Sequence, residues 1–525
     1  MSKGSNGNIL LTNANIYGYE DADTILIEKG VIRKIGKDTE ISKIPLSSYM
    51  ILDLEGRMVL PGLADAHMHL FGYSLSLTRL DLRRVMSIEE LKKKLYNFYL
   101  KSRSTWIIGR GWDQENFKEK RYPTRWDLDE VVPDRPVVLT RVCGHIAVVN
   151  TKALKLSNIT RDTPNPPGGI IGRNNEGEPN GLLYESALDL VYSKIPSLSI
   201  WEKKRALFSA INEALSYGLT ELHVMSVSRE ELNLYKSIFS RNSSPIKLKL
   251  YIEPVLLDSY QNDAKVGGNA EIKGIKIFVD GSFGARTAAL REPYDDDLST
   301  SGILTITREQ LANLVRKAER KGLQVALHAI GDRGLEFILD TLEELYHENK
   351  ERIRRIVRIE HASLMPPDIL ERIKSLRIPV TVQPHFVLTD WWIVKRLGKR
   401  ARWVYAYKTL LNSGIMVAAS SDAPVEPLNP WLGMYAAVGR GKNEHLDIWN
   451  ISSKEALTVS EAVEIYTNGK ILGGTLRENR LYNGMPADLT ILDTDRIPRT
   501  AKEISKIRIF STIVNGIITY KEYWR

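Results

Sequence analysis

A single cysteine, Cys143, is all that 525 residues provide. One thiol cannot close an intramolecular disulfide or build a cysteine-only zinc site. Any metal must therefore be held by histidine, carboxylate or modified lysine, and the chain suits a reducing compartment. Long apolar runs are also missing, and the polar start at residues 1–8 has no secretory pattern, so the expected location is the cytoplasm, with no membrane partner. There is no like-charge tail. The formal charge of +9 comes from 73 Lys and Arg interspersed with 64 Asp and Glu, as where Lys92, Lys93 and Lys94 follow Glu89 and Glu90. A solvated mixed-charge surface accounts for it, and no nucleic-acid partner is expected. With 43% hydrophobic and 26% charged residues the composition is that of a folded globular protein.

Both ends of the chain read as short strands. Residues 9–16, 24–28, 30–35 and 50–54 form strand-like runs between Gly, Asp and Asn turn residues, and 487–492, 507–514 and 516–520 repeat that texture. Unpaired edges are unstable, so the ends are expected to join in one split β-sandwich over residues 1–62 and 476–525. The middle alternates strand with helix. Candidate strands at 58–66, 219–224, 248–252, 274–279, 324–327, 356–359, 379–382 and 415–419 are interleaved with amphipathic stretches such as 201–217, 308–321, 335–347 and 367–375. Such alternation calls for a parallel sheet, and eight units close as an α/β (β/α)8 barrel, here over 63–79 and 186–475. Residues 80–185 are too many for a βα loop. They read as an insertion over the barrel mouth, either a substrate-specificity lid or a structural decoration.

Chemistry enters through the positions of the histidines, of which there are only nine. His67 and His69 follow the first barrel strand, His223 lies near the end of the second, His328 and His361 end the fifth and sixth, and His385 and Asp422 follow the seventh and eighth. All strand C-termini of a parallel barrel open on one face, so residues hundreds of positions apart converge there. Period-two geometry also sends His67 and His69 to one side, where both rings reach one ion. Lys276 sits inside the apolar fourth strand. A buried ammonium must be paired or neutralised, which leaves two readings: a salt bridge to Asp280 or Glu253, or carboxylation by CO2 to an anionic carbamate able to bridge two metals.

The segment ValLeuProGlyLeuAlaAspAlaHisMetHis (Val59 to His69) resembles the strand-one signature of the amidohydrolase superfamily. The resemblance continues through GlyTrpAspGln (Gly111 to Gln114), CysGlyHis (Cys143 to His145), ProGlyGly (Pro167 to Gly169), LysIlePheValAspGlySer (Lys276 to Ser282), LeuHisAlaIleGlyAspArg (Leu327 to Arg333), IleGluHisAla (Ile359 to Ala362), SerSerAspAlaProVal (Ser420 to Val425) and MetProAlaAspLeu (Met485 to Leu489). It is similar in particular to the long branch that includes N-substituted formamide deformylase. The resemblance implies a (β/α)8 barrel with a split β-sandwich, and one or two divalent ions. His67, His69 and Asp422 would hold one ion, His328 and His361 a second, and Lys276 would bridge them as a carbamate. Zinc is the first choice, with Mn, Fe or Ni as others. Two departures are visible: Val224 follows His223 where relatives often carry Asp, and Cys143 precedes Gly144-His145 where an acid is common.

The expected reaction is hydrolysis of an amide, formamide or cyclic amide C–N bond in a small-molecule substrate by a metal-activated water. Asp422 would move the proton to the leaving amine, and His385 or His145 would polarise the carbonyl. Arg110, Asp113 and Arg286 are candidates for orienting substrate, with structural ion pairs as the alternative for each. Trp106, Trp112 and Trp126 either wall a pocket or pack a core. A deaminase or esterase would use the same centre, and a non-catalytic binding or regulatory protein is the reading from another class. Barrels of this kind commonly pair, so a homodimer is among the expectations.

Overall fold

The computed structural model describes residues 8–41, 49–83, 85–141, 144–240, 244–260, 264–478 and 480–522. Cys143 lies outside the described residues. By compactness the chain divides into two units: residues 1–72 with 210–525, and residues 73–209.

The first unit contains eight parallel strands: β1 (Leu63–Met68), β2 (Leu219–Val227), β3 (Lys247–Ile252), β4 (Ala270–Phe278), β5 (Gln324–Ala329), β6 (Val357–His361), β7 (Val380–Val382) and β8 (Val417–Ala419). They neighbour one another in chain order from β1 to β8. Backbone bonds then tie the two ends together, from Asp422 N–H to the His67 carbonyl and from His69 N–H to the Ala423 carbonyl, each 2.8 Å. This is the expected barrel. β1 and β3 are buried along their whole length because both faces are covered, as parallel strands flanked by helices require. Several crossover helices start on paired caps; Thr307 accepts from Gln310 N–H at the head of Arg308–Arg320 while the Gln310 side chain returns the bond.

The expected first strand, 58–66, is two strands. Met58–Pro61 belongs to the sandwich and Leu63–Met68 to the barrel, with the break at Gly62. A Cβ at Gly62 would lie 2.3 Å from Thr220 Oγ1, so only glycine lets the chain pass β2 as it changes sheets. The sandwich itself has a four-stranded sheet, ordered Val31–Gly36, Thr24–Glu28, Ile9–Thr12, Met50–Asp53, and a five-stranded one, ordered Asn15–Ile16, Met58–Pro61, Leu489–Leu492, Ile509–Val514, Ile517–Lys521. In the second sheet the two chain ends pair directly, Val59 opposite Ile491. Ile9, Leu11, Ile25, Ile27, Leu489 and Ile513 fill the core.

The second unit is built on a six-stranded mixed sheet, ordered Gly169–Arg173, Pro179–Glu185, Ile146–Val149, Val137–Arg141, Ile107–Trp112, Leu80–Asp81. Two separate apolar clusters, one around Leu91, Trp112 and Leu139, the other around Val138, Val149 and Leu183, serve as its cores. In the chain it follows β1 and spans residues 73–209, where the sequence reading has 80–185. Among the described residues no helix is long and apolar enough to cross a membrane.

Candidate metal centre

At the C-terminal ends of the barrel strands, His67, His361 and Asp422 each offer a ligand atom, all three within 4.8 Å of one another and all three residues buried. Asp422 Oδ1 stands 3.4 Å from Nε2 of His67 and 3.4 Å from Nε2 of His69. Lys276 Nζ lies 3.5 Å from His67 Nε2. The His328 ring meets the His361 ring edge to face, centroids 4.3 Å apart, and the His361 ring is 4.9 Å from that of His67. Five barrel strands thus deliver imidazole, carboxylate and amine to one place.

The second ring nitrogens are already engaged. His67 Nδ1 is 2.6 Å from Glu360 Oε2, and His361 Nδ1 is 2.8 Å from Gln383 Oε1. Both contacts turn the Nε2 atoms toward the cluster, which is how a protein fixes the tautomer of a metal-binding histidine. Burial, with Lys276 and neighbouring rings adding to it, holds His67 and His361 well below the ordinary imidazole range and takes His328 to about 3. All three are therefore neutral donors at physiological pH. His328 Nε2 is 3.0 Å from the Gly281 carbonyl, leaving Nδ1 as its remaining donor. This donor set fits a divalent ion such as zinc. His67, His361 and Asp422 lie together within it, residues that the family resemblance divides between two ions.

Two further acids in the sequence motifs turn out to be structural. Asp65 Oδ1 accepts N–H bonds from His67 and Ser421, each 3.1 Å, and so pins the mouth of β1 to the end of β8; burial nonetheless raises its carboxyl to about 7. Asp280 accepts from Ala289, Ile330 and Gly331 at 3.0, 3.0 and 2.8 Å, stapling the loop after β4 to the loop after β5. Neither Asp280 nor Glu253 is bonded to Lys276, so the salt-bridge reading of that lysine is set aside. Burial brings Lys276 down to about 8, against the pull of Glu360 and Asp422.

The other candidates are distributed. His385 follows β7, and its Nδ1 is 2.5 Å from Glu426 Oε2. His145, Arg110 and Asp113 belong to the second unit. There His145 pairs with Glu185 at 2.9 Å, and Asp113 with Arg141 at 2.6 Å while capping the turn after it. Arg286 is held by Asp296 through two bonds of 3.1 and 2.8 Å. For Asp113 and Arg286 the structural ion pair is what is observed. Trp112 is core, its indole N–H donating to the Leu139 carbonyl at 2.7 Å, and Trp106 is buried, whereas Trp126 is exposed beneath the Arg125 guanidinium. Glu360, Arg358 and Gln383 were missed by sequence reasoning. The only hint was Glu360 inside IleGluHisAla, with Arg358 two positions before it on the same strand face.

The protein YtcJ of Bacillus subtilis is 34% identical over 512 residues, covering 95% of this chain and 96% of its own. N-substituted formamide deformylase of Arthrobacter pascens is 25% identical, covering 98% of each. Among solved structures, an uncharacterized metal-dependent hydrolase from Pyrococcus furiosus superposes with a TM-score of 0.75 at 34% identity, over 93% of this chain and 99% of the other. Residues 50–520 match the amidohydrolase family as a whole. With the eight strands, the rim histidines and Asp422 all inside that span, the chain belongs to the amidohydrolase family.

Proposed function

We propose that this member of the amidohydrolase family is a metal-dependent hydrolase that cleaves the C–N bond of an amide, formamide or cyclic amide. One observation carries the reading: a single oxygen, Asp422 Oδ1, stands 3.4 Å from the Nε2 atoms of both His67 and His69. A carboxylate at that node faces both the ligands and the place where a water would attack. The relationship to N-substituted formamide deformylase supports the C–N substrate class.

His67, His69, His361 and Asp422 would hold the ion, with His328 and a carboxylated Lys276 beside them, and zinc suits these donors. When bound, the ion supplies a nucleophilic water at neutral pH by depressing its pKa from about 15.7 to about 7. Asp422 takes the proton as the oxygen–carbon bond forms and hands it to the leaving nitrogen as the C–N bond breaks, so a poor leaving group departs as a neutral amine. His385, paired through Nδ1 with Glu426, would donate from Nε2 to the carbonyl oxygen as charge grows there when its ring carries both protons.

The test is a panel of N-formyl, N-acyl and cyclic amides assayed with zinc-reconstituted protein, alongside elemental analysis. Asp422→Asn is expected to lower turnover by about 100- to 10,000-fold while retaining most of the metal. Wild-type turnover in that variant would remove Asp422 from the reaction, and metal-loaded protein inert toward every C–N substrate would remove the substrate class.

A further inference from the structure

Below the metal centre the barrel interior is charged where it would ordinarily be apolar. Arg358 and Glu360 on β6 are 1% and 0% exposed, and His223 and Glu221 on β2 are both 0% exposed. Four such groups inside a closed barrel are unfavourable unless each donor and acceptor is matched. They are matched. Glu360 gives Oε2 to His67 Nδ1 at 2.6 Å and Oε1 to Arg358 Nε at 2.5 Å. The same guanidinium donates through Nη2 to the carbonyl of Ala66, the residue before His67, at 2.6 Å, and through Nη1 to His223 Nδ1 at 2.8 Å.

The proton positions along this chain are forced. A guanidinium only donates, so His223 Nδ1 must be the acceptor and its proton must sit on Nε2, which is 3.1 Å from Glu221 Oε1. Arg358 occupies Oε1 of Glu360 with its Nε–H, which leaves Oε2 as the acceptor that faces Nδ1–H of His67. The lone pair of His67 is then confined to Nε2, the atom that faces Asp422 and Lys276.

We infer that Glu360, held in place by Arg358 and through it by His223 and Glu221, is the positioning residue that sets the tautomer and orientation of His67 for metal binding. Nothing in the mechanism above uses these four residues. The inference rests on the reading of His67 as a metal ligand. Arg358 has a double hold, because it fixes both the carboxylate that orients the ring and the backbone carbonyl one residue before it. A hydrophobic replacement of the chain would leave His67 free to choose either tautomer.

The experiment compares wild type with Glu360→Gln and Arg358→Lys, measuring zinc affinity by chelator competition and the thermal midpoint of the metal-free protein. Ring 15N signals are recorded as well, with His67 assigned by its absence in His67→Gln. Wild type is expected to show His67 protonated at Nδ1 before metal is added. Glu360→Gln is expected to bind zinc about 10- to 100-fold more weakly, with a larger effect on affinity than on the metal-free midpoint. Equal zinc affinity in wild type and Glu360→Gln would overturn the inference. So would a wild-type His67 protonated at Nε2, a reading that stands even if neither variant folds. Wild type that binds no zinc at all would instead overturn the metal reading on which the inference rests.

Discussion

His361 and Asp422 both adopt left-handed backbone, with φ of 73° and 57°. In a regular strand Glu360 and His361 would point to opposite faces. Here both touch His67, Glu360 by its carboxylate and His361 by its ring. The positive φ at His361 breaks the alternation at the last residue of β6, and the same conformation just past β8 turns the Asp422 side chain toward the same point. Non-glycine residues hold such backbone at an energetic cost of about 1–3 kcal/mol each, and sites are where that cost is tolerated.

Lys276 should carry CO2. Its amine is drawn down to about 8 by burial, so an appreciable neutral fraction exists near neutral pH to attack CO2. Protein reconstituted with zinc in 13C-bicarbonate is expected to show a carbamate carbon signal that is missing in Lys276→Arg. Zinc uptake under CO2-free conditions should fall several-fold; full uptake without CO2 would count against the carbamate.

Phe278 is expected to contact the substrate. It is 45% exposed, yet its ring lies 5.0 Å from Lys276 Nζ and 5.1 Å from the His328 ring. Phe278→Ala should raise KM for substrates with an aromatic N-substituent by about tenfold, with kcat little changed, as the loss of apolar contact predicts. An unchanged KM across aromatic and small substituents would place the ring outside the pocket.

Asp280 makes stability depend on pH. Burial raises its carboxyl from 3.8 to about 7 against three backbone N–H groups. The folded state therefore keeps a proton that the unfolded chain releases above about pH 4. That stabilisation is complete below about pH 4 and is lost as pH rises through about 7, a change on the order of 4 kcal/mol. Urea midpoints of wild type should fall across that window more steeply than those of Asp280→Asn. Parallel profiles would refute the assignment.

Asp488 sits between two buried ammonium groups, Lys247 Nζ at 2.7 Å and Lys470 Nζ, with Lys470 itself 0% exposed. Although burial opposes it, these two cations pull the carboxyl down to about 2. Asp488→Ala would leave both charges uncompensated at the base of the barrel, a loss of about 3–5 kcal/mol. The expected readout is a thermal midpoint many degrees lower, and a midpoint within a degree of wild type would contradict it.

The eight barrel strands were legible because each is a local run of apolar residues between turn signals, and because order along the chain is also order around the barrel. His67, His361 and Asp422 were legible for a related reason: a strand end in sequence is a rim position in space. What failed was anything decided by a distant partner. Arg286 could orient a substrate or pair with an acid, and only the fold places Asp296 against it. The run 58–66 looked like one strand because the constraint that divides it is Thr220 packing on Gly62, and no property of the run itself records that contact.

By itself the sequence determined periodicity, and with it the barrel, the two-ended sandwich and the ring of donors at the strand termini, since burial on one or both faces repeats every two or 3.6 residues. The pairing of His67 with Glu360 was decided only in three dimensions. The two are 293 residues apart, and a hydrogen bond of 2.6 Å depends on the stagger of strands and on the turned backbone at the end of β6. Local pattern carries the burial of a residue; the identity of the atom it meets is set by packing.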